Sequence, residues 1–340
     1  MNPRPALDRR RLVTSLGLLG LATATVALIA PVLGPTHMDL GDALSGRGGG
    51  ADRLVLLHAR LPRIVAALIA GAGLAVSGTA LQSLLRNDLA EPYTLGVSGG
   101  GALLAALSIA LGLDAALPLG LATPAAALAG SLGVTAIVSR LARGTGARPL
   151  APPVLLLAGI CVSVVCSAGI LLALHVAEPL TGARALRWLM GGLDVAGWDL
   201  LAVAALPVAI GVVGILAHAR TMNALVLGDD VAASLGVDVA AASRRLFFFS
   251  SIATGAVVAV VGPIGFVGLL VPHALRRALG ADHRLLVPAS AIGGGLFLLL
   301  CDTATRLAFR TSEPPVGVLT ALVGGPTLVL LLLRDRRAGG

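Results

Sequence analysis

The sequence predicts an all-α polytopic membrane protein with about ten transmembrane helices, and three observations support this prediction. The 340-residue chain is 56% hydrophobic and only 12% charged, a composition too apolar for the surface of a water-soluble domain. Its apolar residues form repeated runs, several of which reach the roughly 20 residues that a helix needs to cross a bilayer. Its arginines fall mostly at the ends of these runs, as in membrane proteins whose basic loops set their orientation.

The apolar runs define ten candidate spans. The first follows Arg9-Arg10-Arg11, and a cleaved signal peptide is its alternative interpretation, although the apolar core of such a peptide is normally about half as long. A polar, glycine-rich loop at 34–59 and a mixed segment at 218–243 interrupt the series. The ten spans are 12–33, 61–84, 92–112, 116–139, 152–174, 197–217, 245–262, 264–279, 285–308 and 315–333.

The arginines indicate how these spans are oriented. An even number of spans places both termini on one side of the membrane. If that side is the cytoplasm, 17 of the 25 arginines are cytoplasmic and 8 are not, which is the excess that the positive-inside rule requires. We therefore predict a multi-pass protein of the inner or plasma membrane with both termini cytoplasmic, in which the eight outer arginines need a separate explanation.

Two blocks of four spans, 61–174 and 245–333, are related by topology. Their first spans are an odd number of crossings apart, so the second block is expected to run through the membrane in the opposite direction. Inverted repeats of this kind commonly build a transport path between the two halves of a carrier. The two blocks show no clear residue-level similarity, so this prediction rests on topology alone.

The absence of lysine limits the energy source of the protein. Every basic residue is arginine, whereas a P-loop needs a lysine to hold nucleotide phosphates, so we expect ATP to be hydrolysed on another polypeptide. An ion-coupled carrier would place ionisable groups deep in the membrane, but the deepest acid, Asp302, lies one helical turn from Arg306 and can pair with it. We expect a transport subunit rather than an enzyme, with an ion-coupled carrier as the less favoured alternative.

The segment 224–243 is too polar to cross the membrane and is predicted to form two short cytoplasmic helices divided at Gly236. Asp229 and Asp230 fall in a first helical turn, where negative charge is favourable. An apolar face that lipid does not cover suits a protein partner, and an ordinary interfacial helix is the alternative. The positions that recur at helical spacing are Leu225, Gly228, Ala232, Leu235 and Val239.

The apolar stretch VVGPIGFVGLLVPHALRR at 260–277 is interrupted twice. Gly262-Pro263 predicts a sharp turn between two spans, because proline lacks a donor N–H and disfavours a helical residue before it. The short span that follows contains Pro272 and is expected to be tilted or partly unwound, which is tolerated where protein or water satisfies the backbone. The glycines expected to permit close helix contact are Gly265 and Gly268.

The segment RLPRIVAALIAGAGLAVSGTALQSLLRNDLAEPYTLGVSGGGA at 60–102 resembles the signature of the FecCD family, the permeases of ABC importers for iron-siderophores, haem and cobalamin. Asp88 departs from the family pattern, which usually has proline there, and is expected to change only a short cytoplasmic turn. Further segments that match the family in the same order are LLLAGI (155–160), LGDDVAASLGV (227–237), GPIGFVGLLVPHALRRALGADHRLLVPASA (262–291) and DTATRLAFRTSEPPVGVLTALVGGPTLVLLL (302–332).

The resemblance implies a type II ABC importer permease, with residues 1–340 as a single transmembrane domain and 224–243 as coupling helices within it. Its implied partners are a second permease copy or homologue, ABC ATPase subunits, and a periplasmic or lipid-anchored substrate-binding protein, but no nucleic acid. The implied cargo is a ferric siderophore or a similar metal chelate, with haem or cobalamin as the alternative. No cofactor, metal ligand or catalytic residue is expected.

The resemblance also implies two sets of contact residues. Basic residues at the outer mouth of such permeases contact acidic residues of the binding protein, and the cytoplasmic helices sit in grooves of the ATPases. The residues matching the outer positions are Arg60, Arg63 and Arg306. The residues matching the ATPase contact are Leu227, Gly228, Asp229, Asp230, Ala232, Leu235 and Gly236.

Overall fold

The computed structural model describes residues 9–34, 51–113, 116–143, 152–194, 197–309 and 313–338. Every regular element in these ranges is helical, which confirms the predicted fold class. The helices are α1 (Arg9–Ile29), α2 (Ala51–Val55), α3 (Leu61–Leu85), α4 (Val97–Ala110), α5 (Ala122–Arg143), α6 (Pro152–Val176), α7 (Pro179–Leu189), α8 (Trp198–Ala217), α9 (Ala219–Leu225), α10 (Asp229–Ser234), α11 (Val239–Val261), α12 (Val267–Leu279), α13 (His283–Ala308) and α14 (Val316–Ala338).

The ten predicted spans each correspond to one helix of the described ranges. Seven segments are long and apolar enough to cross a membrane, whereas α4, α12 and the apolar part of α14 are shorter. The predicted loop at 34–59 is only partly a loop. Residues 35–50 lie outside the described ranges, but helix α2 begins at Ala51 and a π-helical turn at Leu56–Arg60 joins it to α3. Polar and charged residues interrupt the apolar ones at 51–60, so the sequence has no continuous apolar run there that would predict a helix.

Side-chain contacts between the termini of different helices define the two opposite ends of the bundle. At one end, which we call the Asp302 end, Arg63 at the start of α3 binds Asp302 near the end of α13. The indole N–H of Trp198, at the start of α8, donates to the carbonyl oxygen of Leu57 at 2.7 Å. The Asp302 end therefore contains the segments that the sequence predicted to lie on the outer side of the membrane, opposite the cytoplasm.

The opposite end, which we call the Asp229 end, collects segments that the sequence placed in the cytoplasm. Arg86, after α3, binds Asp229 at the start of α10. Arg11, near the start of α1, donates to the carbonyl oxygen of Leu279 at the end of α12, at 2.6 Å. The ten helices that match the predicted spans alternate in direction, so that α1 begins and α14 ends at the Asp229 end.

The helix directions fit the predicted inverted repeat. The helices of the first block, α3–α6, run opposite in direction to those of the second block, α11–α14. The second helix of each block is short, with 14 residues in α4 and 13 in α12. Each follows a residue with a left-handed backbone, Gly96 at φ 77° and Phe266 at φ 68°. The sequence indicated a short helix only at 264–279, whereas the first block has one as well, because the turns after Glu91 delay the start of α4 until Val97.

Helices α3 and α11 form the centre of the bundle, and glycines let their neighbours approach closely. A Cβ on Gly71 of α3 would collide with the backbone of Gly294 in α13, and one on Gly78 would collide with the carbonyl of Gly268 in α12. The predicted close contact at Gly268 is confirmed. Gly265 makes no such helix contact, since the nearest atom to its missing Cβ is a ring carbon of Tyr93 at 3.9 Å.

Candidate functional sites at the two ends of the bundle

The Asp302 end holds a cluster of four charged side chains. Asp302 has no exposed surface, and its two carboxylate oxygens accept hydrogen bonds from Arg63 Nε at 2.7 Å and Arg306 Nε at 3.0 Å. The other side of the Arg63 guanidinium donates from Nη1 to Glu313 Oε2 at 2.7 Å. The two cations and two anions neutralise one another, which offsets the cost of burying the Asp302 carboxylate.

Two arginines of this end also hold the chain that follows α1. Arg306 Nη1 donates to the carbonyl oxygens of Leu33 at 2.7 Å and Ala30 at 3.2 Å. Arg60 Nη1 donates to the carbonyl oxygen of Pro31. The three acceptors follow Ile29, the last residue of α1, so these two arginines fasten the segment after α1 to α13 and to the turn before α3.

The three arginines that the sequence singled out therefore lie at one end of the bundle but differ in accessibility. Arg60 and Arg306 are buried, whereas the Arg63 side chain keeps 16% of its surface exposed. The spacing of Asp302 and Arg306 predicted their ion pair, which the structure contains. Sequence reasoning did not find that Arg63 pairs with Glu313, because these two residues are 250 positions apart. A role in docking stays a prediction for all three arginines.

The segment at the Asp229 end differs in detail from its prediction. The segment contains the predicted break at Gly236 and a second break at Gly228, between α9 and α10. Gly228 has φ 113° and cannot continue a helix, so α10 begins directly after it. Gly236, with φ 83°, separates α10 from α11, which is a long helix rather than the predicted short one. Within 224–243 only α10 is a complete short helix, and residues 239–243 form the first turn of α11.

The two faces of this segment have different neighbours. Leu225 and Ala232 are fully or almost fully buried in a core cluster with Val76 of α3. Leu227 and Leu235 are each 63% exposed, and Val231 between them is exposed as well. Val231 and Leu235 are one helical turn apart, and Leu227 lies just before α10. We call these three exposed apolar side chains the exposed stripe. Ala232, one of the predicted contact residues, faces the core and anchors α10 rather than contributing to this stripe.

Arg86 fastens the segment to the central helix α3. Its Nε donates to the carbonyl oxygen of Leu225 at 3.1 Å, and its Nη2 binds the carboxylate of Asp229. Asp229 is thus paired within the chain, while Asp230 beside it is exposed. Asp229 and Asp230 are indistinguishable in the sequence, and the contact of Asp229 with Arg86 was not predictable because it joins residues 143 positions apart.

A second connection joins α9 to α13. Asn223 Nδ2 donates to Asp282 Oδ1 at 2.9 Å, and Asn223 Oδ1 accepts the backbone N–H of His283 at 2.9 Å. Asp282 caps α13 by accepting the backbone N–H of Arg284. The hydrogen bond from the Arg284 side chain is the main reason that the pKa of Asp282 lies well below its ordinary value.

Asp88 does more than alter a local turn, which corrects the expectation drawn from its departure from the family pattern. Its carboxylate pairs with Arg276 Nη1, and Arg276 Nη2 donates to Gln82 Oε1 at 2.9 Å. Gln82 Nε2 in turn donates to the carbonyl oxygen of Gly268 at 3.2 Å. This chain of contacts joins the turn after α3 to helix α12, and a proline at position 88 would lack the carboxylate.

A cavity of about 560 Å³ lies where the non-helical segment 86–96 meets the start of α12, with Tyr93 and Leu322 in its wall. Glu91 Oε2 accepts the backbone N–H of Phe266 at 3.2 Å and so holds the left-handed residue that precedes α12. The cavity is a candidate part of the transport path, since it lies at the shared break of the two repeats. Among the residues that the structure describes, no cluster of His, Cys, Asp and Glu has the arrangement of a metal site.

Comparisons with known proteins agree with this architecture. The sequence profile of the FecCD transport family matches residues 21–334. The hemin transport system permease protein HmuU of Yersinia pestis is 40% identical over 328 residues, which cover 94% of this chain and 96% of that protein. The vitamin B12 import system permease protein BtuC of Salmonella typhi is 37% identical over 332 residues, which cover 97% of this chain and 98% of that protein.

A solved structure shares the fold. It is an inward-facing conformation of a protein described as a metal-chelate type ABC transporter. The TM-score is 0.82 at 28% sequence identity, and the alignment covers 95% of this chain and 99% of that one. The family indicated by the segment at 60–102 and the later segments is confirmed.

Proposed function

Because the chain belongs to the FecCD transport family, we propose that it is the membrane-spanning permease subunit of an ATP-driven importer that moves a ferric siderophore or a similar metal chelate into the cytoplasm. The observation that carries this proposal is the family match across residues 21–334, on a bundle of ten alternating helices. Residues 1–340 act as one transmembrane domain, and the chain is a transport subunit rather than an enzyme.

Separate ATPase subunits supply the energy and bind the Asp229 end. The chain has no lysine for a P-loop. The exposed stripe of Leu227, Val231 and Leu235 presents apolar side chains beside the acidic start of α10, and the rigid connections through Arg86 and Asn223 suit a surface that transmits movement to the membrane helices. The ion-coupled alternative has less support, since Asp302 is held by two arginines and so cannot readily bind and release an ion.

The Asp302 end receives a periplasmic or lipid-anchored substrate-binding protein, and the permease pairs with a second copy or a homologue. Arg60, Arg63 and Arg306 are the proposed docking cations, of which Arg63 is the most accessible. In this orientation the Asp229 end and both termini are cytoplasmic, as the excess of arginines on that side supports. The protein belongs to the inner or plasma membrane.

Haem and cobalamin are the second candidate cargo class, and the names of the relatives give this alternative specific support. HmuU is a hemin permease, BtuC is a vitamin B12 permease, and the similar solved structure is of the metal-chelate type. These cargoes are all large organic ligands that carry a metal. The same kind of translocation path can therefore accommodate each of them, and the binding protein selects the cargo.

An uptake panel tests the proposal and separates the cargo classes. Cells that lack this gene are compared with cells in which it is restored, using labelled ferric siderophores, haem and cobalamin as separate substrates. Restoration of uptake of ferric siderophore supports the main proposal, and restoration of haem or cobalamin uptake alone selects the alternative. Restored uptake of none of the three would contradict both.

A further inference from the structure

We propose that the Glu313 carboxylate occupies, in the free permease, the position on Arg63 that an acidic side chain of the substrate-binding protein takes on docking. The inference rests on the docking proposed above and adds a residue of this chain that competes with the partner. Glu313 would then weaken docking rather than contribute to it.

The two sides of the Arg63 guanidinium are held differently. On the inner side, Nε binds Asp302, which has no exposed surface and also accepts from Arg306. A partner cannot reach this side without dismantling the cluster. On the outer side, Nη1 binds Glu313, whose side chain is 28% exposed. The outer ion pair is therefore the one that an incoming carboxylate can replace.

A route to this outer side exists in the structure. A cavity of about 540 Å³ is lined by Arg63 and Glu313, together with Arg187 of α7 and Asp194. It lies at the Asp302 end, since both members of the ion pair belong to that end. A side chain that enters the cavity meets the Arg63–Glu313 pair directly, without disturbing the contacts of Asp302.

Glu313 is well placed to be released. It lies in a short non-helical segment before α14, and within the described residues its only hydrogen-bond partner is Arg63. Exchange of one carboxylate for another on the arginine fork keeps the charge of the cluster balanced and preserves a charge-assisted hydrogen bond. In the free permease, Glu313 thus neutralises the positive charge that the cluster of Arg63, Arg306 and Asp302 would otherwise carry until the binding protein docks.

The test is a titration of the whole permease, assembled with its ATPases in lipid nanodiscs, with its own substrate-binding protein free of cargo. Glu313→Gln removes the competing charge and should lower the dissociation constant by about two- to five-fold, the range expected for a partly exposed ion pair. Asp199→Asn removes one exposed negative charge from the same end of the bundle but outside this cavity, and should leave the affinity unchanged. Glu313→Asp shortens the side chain and should lower the dissociation constant to a smaller extent.

A double-mutant comparison separates this inference from the docking on which it rests. Arg63→Gln should weaken binding, and Glu313→Gln should have no further effect in that background. If Arg63→Gln weakens binding but neither Glu313 variant strengthens it, the competition is wrong and docking at Arg63 stands. If Arg63→Gln leaves binding unchanged, docking at Arg63 and the competition are both overturned.

Discussion

Arg86 and Leu225 form a hydrogen bond that joins the end of the central helix α3 to the turn before α10. Arg86 Nε lies 3.1 Å from the Leu225 carbonyl oxygen, while Nη2 of the same side chain binds Asp229. The exposed stripe is therefore attached to the centre of the bundle and not only to its neighbours along the chain. Movement of the stripe can therefore be passed to α3 through this side chain, as well as through the core cluster that contains Leu225, Ala232 and Val76.

Replacement of Arg86 by alanine should loosen this attachment and weaken assembly with the ATPase. Both contacts of Arg86 are lost, and the Asp229 carboxylate loses its partner, so we expect a loss of about 1–2 kcal/mol in ATPase binding. Co-purification and titration of the ATPase against the permease in detergent measure it. Arg220→Ala is the matched control, because Arg220 is an exposed arginine of α9 outside the predicted contact residues; an equal effect of the two substitutions would contradict the assignment.

Leu235→Arg should disrupt ATPase binding while the membrane domain still folds. Leu235 is mostly exposed in the isolated chain, so an arginine there costs little until an apolar partner surface must bury it. We expect at least a ten-fold loss of affinity, about 1.4 kcal/mol. Ala233→Arg adds the same charge to an exposed position of α10 outside the stripe and should have a smaller effect. Unchanged ATPase affinity in the Leu235 variant would remove the stripe from the interface.

The sequence predicted the helices well because the bilayer imposes a simple rule of length and apolarity on each span. It could not predict where short helices break inside the membrane, since that depends on single backbone torsions. The left-handed Phe266 illustrates this, because phenylalanine rarely adopts φ 68°. In the same way, the sequence predicted a break at Gly236 but not the second one at Gly228, and both glycines have a positive φ.

The contacts of the two sites were predictable only where partners are close in sequence. The Asp302–Arg306 pair follows from a four-residue spacing, whereas the pairs of Arg63 with Glu313 and of Arg86 with Asp229 join distant segments. The apolar positions of 224–243 also look alike in sequence, although the fold buries Ala232 and exposes Leu235. Which of these positions remain exposed to a partner protein depends on how the segment packs against the neighbouring helices of the bundle.

Gly78→Ala should destabilise the crossing of α3 and α12. A Cβ at this position would collide with the carbonyl of Gly268, which belongs to the backbone and cannot move aside without shifting α12. We expect a cost of about 1–3 kcal/mol, measured as a lower melting temperature of the purified permease. Gly133→Ala in α5 is the control, because nothing lies within 4 Å of its missing Cβ, and it should be neutral or stabilising. Equal stability of the two variants would contradict the close crossing.

Ionisation of the Asp282 carboxyl should make the stability of the folded protein at the Asp229 end depend on pH. Its hydrogen bond from Arg284 lowers its pKa in the folded protein below the ordinary value of 3.8. Its contribution is therefore fully present above that value and is lost as the pH falls below it. The melting temperature of the wild type should exceed that of Asp282→Asn at about pH 6, and the difference should shrink at about pH 3. A difference that stays constant across this range would rule out a role for the ionised carboxylate.

Transport by purified components in proteoliposomes tests most directly whether this chain is a passive path driven by a separate ATPase. The permease is reconstituted alone, with its ATPase, and with both the ATPase and the binding protein, and uptake of the cargo selected by the binding protein is followed with ATP inside or outside the vesicles. We expect uptake only from the complete set, and only when ATP is on the side of the Asp229 end. Uptake by the permease alone, driven by an ion gradient, would contradict the account.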